Sequence, residues 1–137
     1  MITHRPADTR GHLNPGWIES RRTFSNNSYW NPKYMNWGHL EVINDDILQP
    51  GHSVPKHEHK NMEILGYVVQ GPCHHWDNLG NDLPAESGTV QRMSSGRSIW
   101  HTESNHSDHP IRYLQLWIEP ANHGQGTPAE YTQQHFS

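Results

Sequence analysis

The sequence predicts an all-β protein in which one barrel or sandwich of antiparallel strands contains the whole chain. Three observations support this class. Apolar residues recur with a period nearer two than 3.6, turn residues interrupt the chain roughly every eight to twelve positions, and few segments have the apolar spacing of a helix. The length of 137 residues and the mass of 15.9 kDa suit a single domain with one core.

Eight strands are predicted where apolar and polar residues alternate between turn signals. In chain order they cover residues 17–24, 40–48, 53–59, 63–70, 73–77, 88–93, 99–103 and 111–119. Turns rich in Gly, Pro and Asn separate them, for example at 14–16, 49–51 and 71–72. Residues 25–38, rich in asparagine and aromatic residues, are predicted to form a packed loop, and residues 120–137 a C-terminal surface arm.

Apolar residues are few for a chain of this length. They make up 31% of the sequence, and the mean hydropathy is −0.97. The core is therefore predicted to be thin and to be completed by the six tryptophans and five tyrosines. A bound metal ion or a partner subunit would add stability, because either one binds the folded state in preference to the unfolded chain.

The charge balance and the single cysteine exclude several classes of protein. A formal charge of −4 and a pI of about 6.3 argue against direct binding to nucleic acid, which requires a basic face. Cys73 has no second cysteine to pair with, so an internal disulfide is excluded and Cys73 is expected to be a small buried apolar residue. Residues 1–11 lack the apolar stretch of a signal peptide, and no segment approaches the roughly 20 apolar residues of a membrane helix. We expect a soluble, cytoplasmic protein that does not contact the membrane.

Two pairs of potential metal ligands, His57-x-His59 and His101-x-Glu103, are the strongest functional signal. Side chains two residues apart on a strand point to the same face, so each pair can direct both of its donors to one ion. In a chain with 13 histidines one such pair is weak evidence, and the second pair with the same spacing strengthens it. Three imidazoles and one carboxylate suit iron, manganese, nickel, copper, cobalt or zinc.

The predicted strand at 111–119 carries a second signal, for a cavity. Tyr113, Gln115 and Trp117 share one face, and the other face is aliphatic, so both faces are predicted to be buried. A glutamine between two aromatic residues favours a lined cavity, although a neighbouring backbone group could equally satisfy it. His75 is a further candidate for the pocket, as a proton carrier, although one of the adjacent His74 and His75 must point outward.

The arrangement around the two pairs resembles the two-part motif of the cupin superfamily. Its members here would be Gly51, His57, His59, Glu63 and Gly71 in the first part, then Gly88, Gly96, His101 and Asn105 in the second. The residues in these segments resemble the pirin family within the cupins more closely still. The segments that carry this resemblance are SRRTFS at 20–25, LEVIND at 40–45, PKHEHKNME at 55–63, VQRMSSG at 90–96, WHTESN at 100–105 and LQLWI at 114–118.

The resemblance to pirins implies both a fold and a site. The fold would be a single cupin barrel, a double-stranded β-helix of the jelly-roll type. The site would hold Fe(II) through His57, His59, His101 and Glu103. The activity implied by several bacterial pirins is a dioxygenase that cleaves flavonols such as quercetin, and eukaryotic pirins imply an iron-dependent transcriptional co-regulator.

Two departures from the pirin pattern bear on function. Pirins usually have two barrels, whereas this sequence covers one, either as a single-barrel member or as a shortened form. A homodimer is expected to cover the apolar surface that a second barrel would occupy. Around the site, the usual His-Pro-His-Arg-Asp is HEHKN at 57–61. Trp100 replaces a usual arginine, and His74 and Trp76 replace charged residues, so a changed pocket wall and a changed substrate are expected.

These observations lead to several candidate functions. The first is a metal-dependent oxygenase acting on a small aromatic or enol-type substrate, with Glu63 or Glu103 accepting the substrate proton. Glu63 could instead orient a ligand imidazole or act as a fifth ligand. The same site could catalyse an isomerisation, a cyclisation or a hydrolysis without oxygen. An iron-dependent redox sensor that binds a protein partner belongs to a different class, and a cupin without metal is the simplest alternative.

Overall fold

The computed structural model describes residues 1–121 and 126–137, in which the chain forms two antiparallel sheets and a short 3-10 helix at Ala7–Thr9. The strands are β1 (Gly11–Leu13), β2 (Ile18–Arg22), β3 (Leu40–Leu48), β4 (His57–His59), β5 (Glu63–Gln70), β6 (Cys73–Asp77), β7 (Asp82–Ala85), β8 (Thr89–Ser94), β9 (Ile99–Ser104), β10 (Ile111–Ile118) and β11 (Glu130–His135). The predicted all-β class is confirmed. Within the described ranges no helix has the length and hydropathy needed to cross a membrane.

The two sheets share one interior. The larger sheet has seven strands in the order β1-β2-β3-β10-β5-β8-β11, and the smaller has four in the order β4-β9-β6-β7. Buried and partly buried side chains alternate along β2, β3 and β6, which places one face of each strand inside. Residues from both sheets line a common cavity, so the inner faces of the sheets oppose each other.

The predicted strands are present, with differences at their ends. β3, β5 and β6 have the predicted bounds, whereas the segments 17–24 and 53–59 contain the shorter strands β2 and β4. β1 and β7 were not predicted. β7 contains Pro84, which cannot donate to a ladder, and it lies at the edge of the smaller sheet, where a proline is tolerated.

The C-terminal segment differs from the predicted surface arm at 120–137. Residues Glu130–His135 form the edge strand β11, which pairs with β8, while residues 122–125 of the segment lie outside the described ranges. The strand is mostly polar and exposed, so its sequence lacks the apolar alternation of an inner strand. Tyr131 is its anchor, because its ring stacks on His75 with centroids 3.7 Å apart and packs against the apolar cluster around Met93.

The tryptophans complete the core less than the composition predicts. The segment 25–38 forms no extended strand, as expected for a loop, but Trp30 and Trp37 in and beside its turns are 71% and 80% exposed. Trp17 and Trp117 do pack against the two apolar clusters of the interior. The thin core therefore depends on a subset of the aromatic residues.

The inner face of the larger sheet carries polar side chains across its middle. The register of β2, β3 and β10 sets residues side by side in rows, which run Ile18–Leu48–Ile111, then Ser20–Asp46–Tyr113, then Arg22–Asn44–Gln115. One apolar cluster surrounds the first row, and a second forms around Ile64, Met93 and Ile99. Polar rows thus divide the interior into two apolar parts.

Replacing Tyr131 with alanine should lower the free energy of unfolding by about 2–3 kcal/mol, because a packed ring and its hydrogen bonds with Gln91 and Gln133 are lost. Urea denaturation followed by circular dichroism measures the change. Thr132→Ala is the matched control, since Thr132 is exposed on the same strand and should change stability by less than about 0.5 kcal/mol. Equal stability of the two variants would contradict an anchoring role for Tyr131.

Candidate metal centre

The two ligand pairs lie on neighbouring strands of the smaller sheet. β4 and β9 are antiparallel, and their register places His57 directly opposite His101 and His59 opposite Ile99. Cross-strand partners share a face, and so do residues two apart, so the three imidazoles lie on one side of the sheet. Their donor nitrogens all lie within 4.8 Å of one another, close enough to bind one metal ion.

Contacts between two turns hold β4 and β9 in this register. Ser95, in the turn between β8 and β9, accepts a hydrogen bond on Oγ from the Met62 backbone N–H at 2.8 Å. Its own N–H donates to the Met62 carbonyl at 3.0 Å. The Asn61 N–H donates to the Gly96 carbonyl at 2.9 Å. Gly96 has a φ of 50°, and a Cβ there would collide with the backbone of Thr127 and Pro128, so only glycine fits.

The surroundings of His59 and His101 favour the neutral imidazole, which is the form that binds a metal. Burial, followed by the proximity of His101 and His57, lowers the pKa of His59 to about 4. Burial also lowers the pKa of His101. His57 Nδ1 lies 2.7 Å from the carbonyl oxygen of Pro55, so Nδ1 carries the proton and Nε2 keeps its lone pair for a ligand.

His101 provides the clearest sign that the three histidines fit a metal. Both of its ring nitrogens are buried, and neither has a hydrogen-bond partner in the described part of the chain. An unsatisfied buried polar atom costs roughly 1–3 kcal/mol, so native proteins rarely leave one without a function. A divalent transition metal held by nitrogen ligands satisfies one of these atoms directly.

The predicted fourth ligand, Glu103, lies beside the three histidines and outside their group. Its Oε1 is 3.6 Å from His101 Nδ1 and accepts a hydrogen bond from Gln115 Nε2 at 2.8 Å. Trp117 Nε1 in turn donates to Gln115 Oε1 at 3.3 Å. This chain of hydrogen bonds orients the carboxylate from the facing sheet, and ligation by Glu103 stays a prediction.

His57 and His59 open onto a cavity of about 570 Å³ between the two sheets. Tyr113, Gln115 and Trp117 all line it, together with Glu103 and the ligands on β4. The remaining lining residues are Leu13, Trp17, Ile18, Ser20, Arg22, Asn27, Asn44, Asp46, Val54, Pro55 and Glu58. This volume suits a small organic molecule, and the position of His57 and His59 in the wall would give such a molecule access to a metal held there.

Two of the predicted site residues are placed elsewhere. His75 is buried, but it stacks on Tyr131, bonds to Asp77 and does not line the cavity. Glu63 lies outside the cavity lining as well, where its carboxylate accepts a hydrogen bond from Ser94 at 2.6 Å. Asn61, with a φ of 50°, interrupts the strand between His59 and Glu63. The even spacing of these two residues therefore does not place their side chains on the same face of the sheet.

The unusual Trp100 is not part of the cavity wall. It sits opposite Glu58 on the β4–β9 pair, is 38% exposed, and its ring lies 5.9 Å from Lys56 Nζ. His74 likewise makes its contact outside the cavity, with Asp82. The expectation that these two residues alter the pocket wall is therefore wrong.

Sequence reasoning missed the polar part of the cavity. Ser20 and Arg22 on β2, and Asn44 and Asp46 on β3, line it and are at least nine-tenths buried. The sequence contained an indication of this, because in each strand the polar residues are spaced by two from each other and from a buried isoleucine or leucine, and so share its inward face. Such a phase marks a polar interior, which is the expected setting of a ligand site.

An all-β barrel with histidines on adjoining strands, directed into a lined cavity, defines the metal-binding cupin class of protein. Within that class the pirin family model matches residues 3–118. The chain therefore belongs to the pirin family, and the predicted cupin fold is confirmed.

Several relatives are similar over nearly the whole chain. The chain is 43% identical to quercetin 2,3-dioxygenase of Escherichia coli K12 over 137 residues, which is 99% of this chain and 58% of that protein. It is 44% identical to a putative quercetin 2,3-dioxygenase of Pseudomonas aeruginosa over 124 residues, covering 90% of this chain and 53% of that protein. The chain thus spans about half the length of the curated relatives it matches.

Solved structures agree in fold. The E. coli pirin YhhW in complex with nickel(II) superposes with a TM-score of 0.91 and 40% identity, over 97% of this chain and 57% of that one. A predicted oxalate decarboxylase of Thermotoga maritima has a TM-score of 0.64 at 20% identity, over 88% of this chain and all of that one, and shows the shared fold alone. That E. coli structure contains nickel(II), and in this chain the donor nitrogens of three histidines lie close enough together to hold one metal ion.

Replacing His101 with alanine should remove most of the affinity for Ni(II), because one of three clustered nitrogen donors is lost. Calorimetric titration of the chelator-treated protein measures the affinity, and thermal unfolding with and without Ni(II) measures the stabilisation by the ion. His39→Ala is the control, since the His39 side chain is 79% exposed and is not among the residues that line the cavity. Undiminished Ni(II) binding in the His101 variant would contradict the proposed site.

Asp46 should make the stability of the metal-free protein fall as the pH rises from about 4 to 6. Burial, as the largest cause, raises its pKa from 3.8 to about 6. The folded state therefore holds this proton more tightly than the unfolded chain, and the advantage is lost as pH rises through the folded pKa. Between pH 4 and pH 7, Asp46→Asn should gain about 2 kcal/mol relative to the wild type in urea denaturation. A parallel pH dependence of the two proteins would contradict this.

Proposed function

We propose that the protein is a metal-dependent oxygenase of the quercetin 2,3-dioxygenase type, with Fe(II) as its metal and a small hydroxylated aromatic or enol compound as its substrate. The observation that carries the proposal is the cluster of His57, His59 and His101, two of which, His57 and His59, line a cavity large enough for such a compound. The names of the bacterial relatives support the reaction type.

The residues of the chain would divide the chemical work. His57, His59 and His101 would hold the ion, which supplies Lewis acidity and the one-electron chemistry that dioxygen requires. Glu103 is the carboxylate nearest to the histidines, and the bond from Gln115 fixes its orientation. It is therefore the group placed to accept the proton of a substrate hydroxyl.

The shape of the cavity favours a flat substrate with few charges. Trp17, Ile18 and Val54 give it apolar walls, and Trp117 packs edge-on against His59 with ring centroids 4.9 Å apart. Apolar walls exclude water from a reactive centre and hold an aromatic ring by its faces. At about 570 Å³ the cavity is within the usual range for drug-sized ligands, of roughly 300–1,000 Å³.

An oxygen electrode tests the proposed activity. The metal-depleted protein is reloaded with Fe(II), Mn(II), Ni(II), Cu(II), Co(II) or Zn(II), and oxygen uptake is measured with flavonols, catechols and 1,3-diketones. Uptake with at least one compound is expected, greatest with Fe(II), and it should fall at least about 100-fold in His101→Ala, because the ion is lost.

Two controls separate the alternatives. His39→Ala should keep the full rate, since His39 lies outside the cavity lining. Product formation without oxygen would instead identify an isomerase, cyclase or hydrolase at the same site. No oxygen uptake with any compound and any metal would overturn the proposal.

A further inference from the structure

The polar part of the cavity wall contains one buried cation and one buried carboxylate that the proposed chemistry does not use. Arg22 is 6% exposed and Asp46 is 7% exposed, and both line the cavity. Burying two charged groups is costly unless they are paired or bind a ligand. Their surroundings decide which of these applies.

The two side chains are neighbours that do not form an ion pair. Arg22 lies opposite Asn44, and Ser20 opposite Asp46, so Arg22 and Asp46 are diagonal across the β2–β3 pair. Arg22 Nε donates to Ser20 Oγ at 3.3 Å, and Nη1 donates to the Asn26 carbonyl at 3.0 Å. Asp46 interacts with Arg22 through space alone, with Ser20 hydrogen-bonded to its carboxylate.

The Asp46 carboxylate can still accept a hydrogen bond. Its Oδ1 is buried and has no hydrogen-bond partner among residues 1–121 and 126–137. The desolvated carboxylate has a pKa raised to about 6, so the interior does not compensate its charge. A group that donates a hydrogen bond would relieve this cost.

The chemistry of the pair selects one kind of ligand group. Asp46 would repel a carboxylate, and Arg22 would repel an ammonium ion. A neutral hydroxyl suits both, because it donates its proton to the carboxylate and accepts from the guanidinium. Trp17 and Ile18 line the same cavity, and they favour a hydroxyl carried on an aromatic ring.

We propose that Arg22 and Asp46 form a hydroxyl-binding subsite, which takes a phenolic hydroxyl on the part of the substrate that does not reach the histidines. This subsite rests on the proposed function, since the other end of the same molecule has to lie at the metal. It makes the two residues determinants of specificity, because a substrate without the second hydroxyl leaves the buried Asp46 Oδ1 without a hydrogen-bond partner.

Binding of two flavonols to the Ni(II)-loaded protein, without oxygen, tests the subsite. 3-Hydroxyflavone and quercetin share the hydroxyketone that binds a metal, and quercetin alone carries further phenolic hydroxyls. Absorbance titration gives the two Kd values. The wild type should bind quercetin at least about 10-fold more tightly, as expected for a hydrogen bond to a charged group.

Substitution of the subsite should remove this preference and leave the shared end unaffected. In Arg22→Leu and in Asp46→Leu, the ratio of the two Kd values should fall to less than about 3, while the Kd of 3-hydroxyflavone stays within about twofold of the wild type. Should a leucine variant fail to fold, Arg22→Gln or Asp46→Asn replaces it, with a fall in the ratio in the same direction.

Adjacent residues provide matched controls. Arg21 and Asp45 neighbour the subsite residues in sequence and point to the opposite face, where Asp45 accepts hydrogen bonds from Arg112 at 2.8 and 2.6 Å. Arg21→Leu and Asp45→Leu should keep the preference for quercetin, and an equal loss in these variants would overturn the subsite.

The remaining outcomes separate the two proposals. Equal affinity of the wild type for both flavonols would overturn the subsite and leave the proposed function standing. Binding of neither flavonol to the metal-loaded protein would overturn flavonols as the substrate class, and the subsite with them.

Discussion

The pairing of β4 with β9 is the contact on which the rest of the site depends. It sets His57 against His101, and the two-residue period of a strand then brings His59 to the same face. A slip of one residue would turn one strand's ligands outward, so the register has to be fixed. Ser95 and Gly96 fix it by binding the chain beside Met62, at the turn that links the end of β4 to β5. Contacts between two turns thus determine the chemistry of the interior.

The interior is organised for binding at some expense in stability. Polar rows cross the inner face of the larger sheet and separate the apolar cluster around Leu48 from the one around Ile64. Buried atoms such as Asp46 Oδ1 and the ring nitrogens of His101 stay without hydrogen-bond partners in the described residues. A protein of this kind gains stability when its ligands bind, since each bound group satisfies atoms that folding alone leaves unpaired.

Strand parity explains which parts of the fold and site the sequence predicts. The central strands β3, β5 and β6 follow from apolar alternation, and the histidines follow from their two-residue spacing. Edge strands are less predictable, because β11 is polar and β7 contains Pro84, so neither shows the pattern of an inner strand. Parity also fails across a turn, which is why Glu63 lies outside the cavity. The Arg22–Asp46 diagonal depends on the register between strands, which alternation within one strand does not determine.

The position of Trp117 gives the site an optical property of its own. Its indole lies edge-on to the His59 ring with 4.9 Å between centroids, and its Nε1 bonds to the glutamine that orients Glu103. An open-shell transition metal at His59 would therefore quench the emission of this particular indole at short range. Trp30 and Trp37 are largely exposed to water, so they emit at longer wavelength than a buried indole. The blue edge of the intrinsic fluorescence thus reports occupancy of the metal centre without any added label.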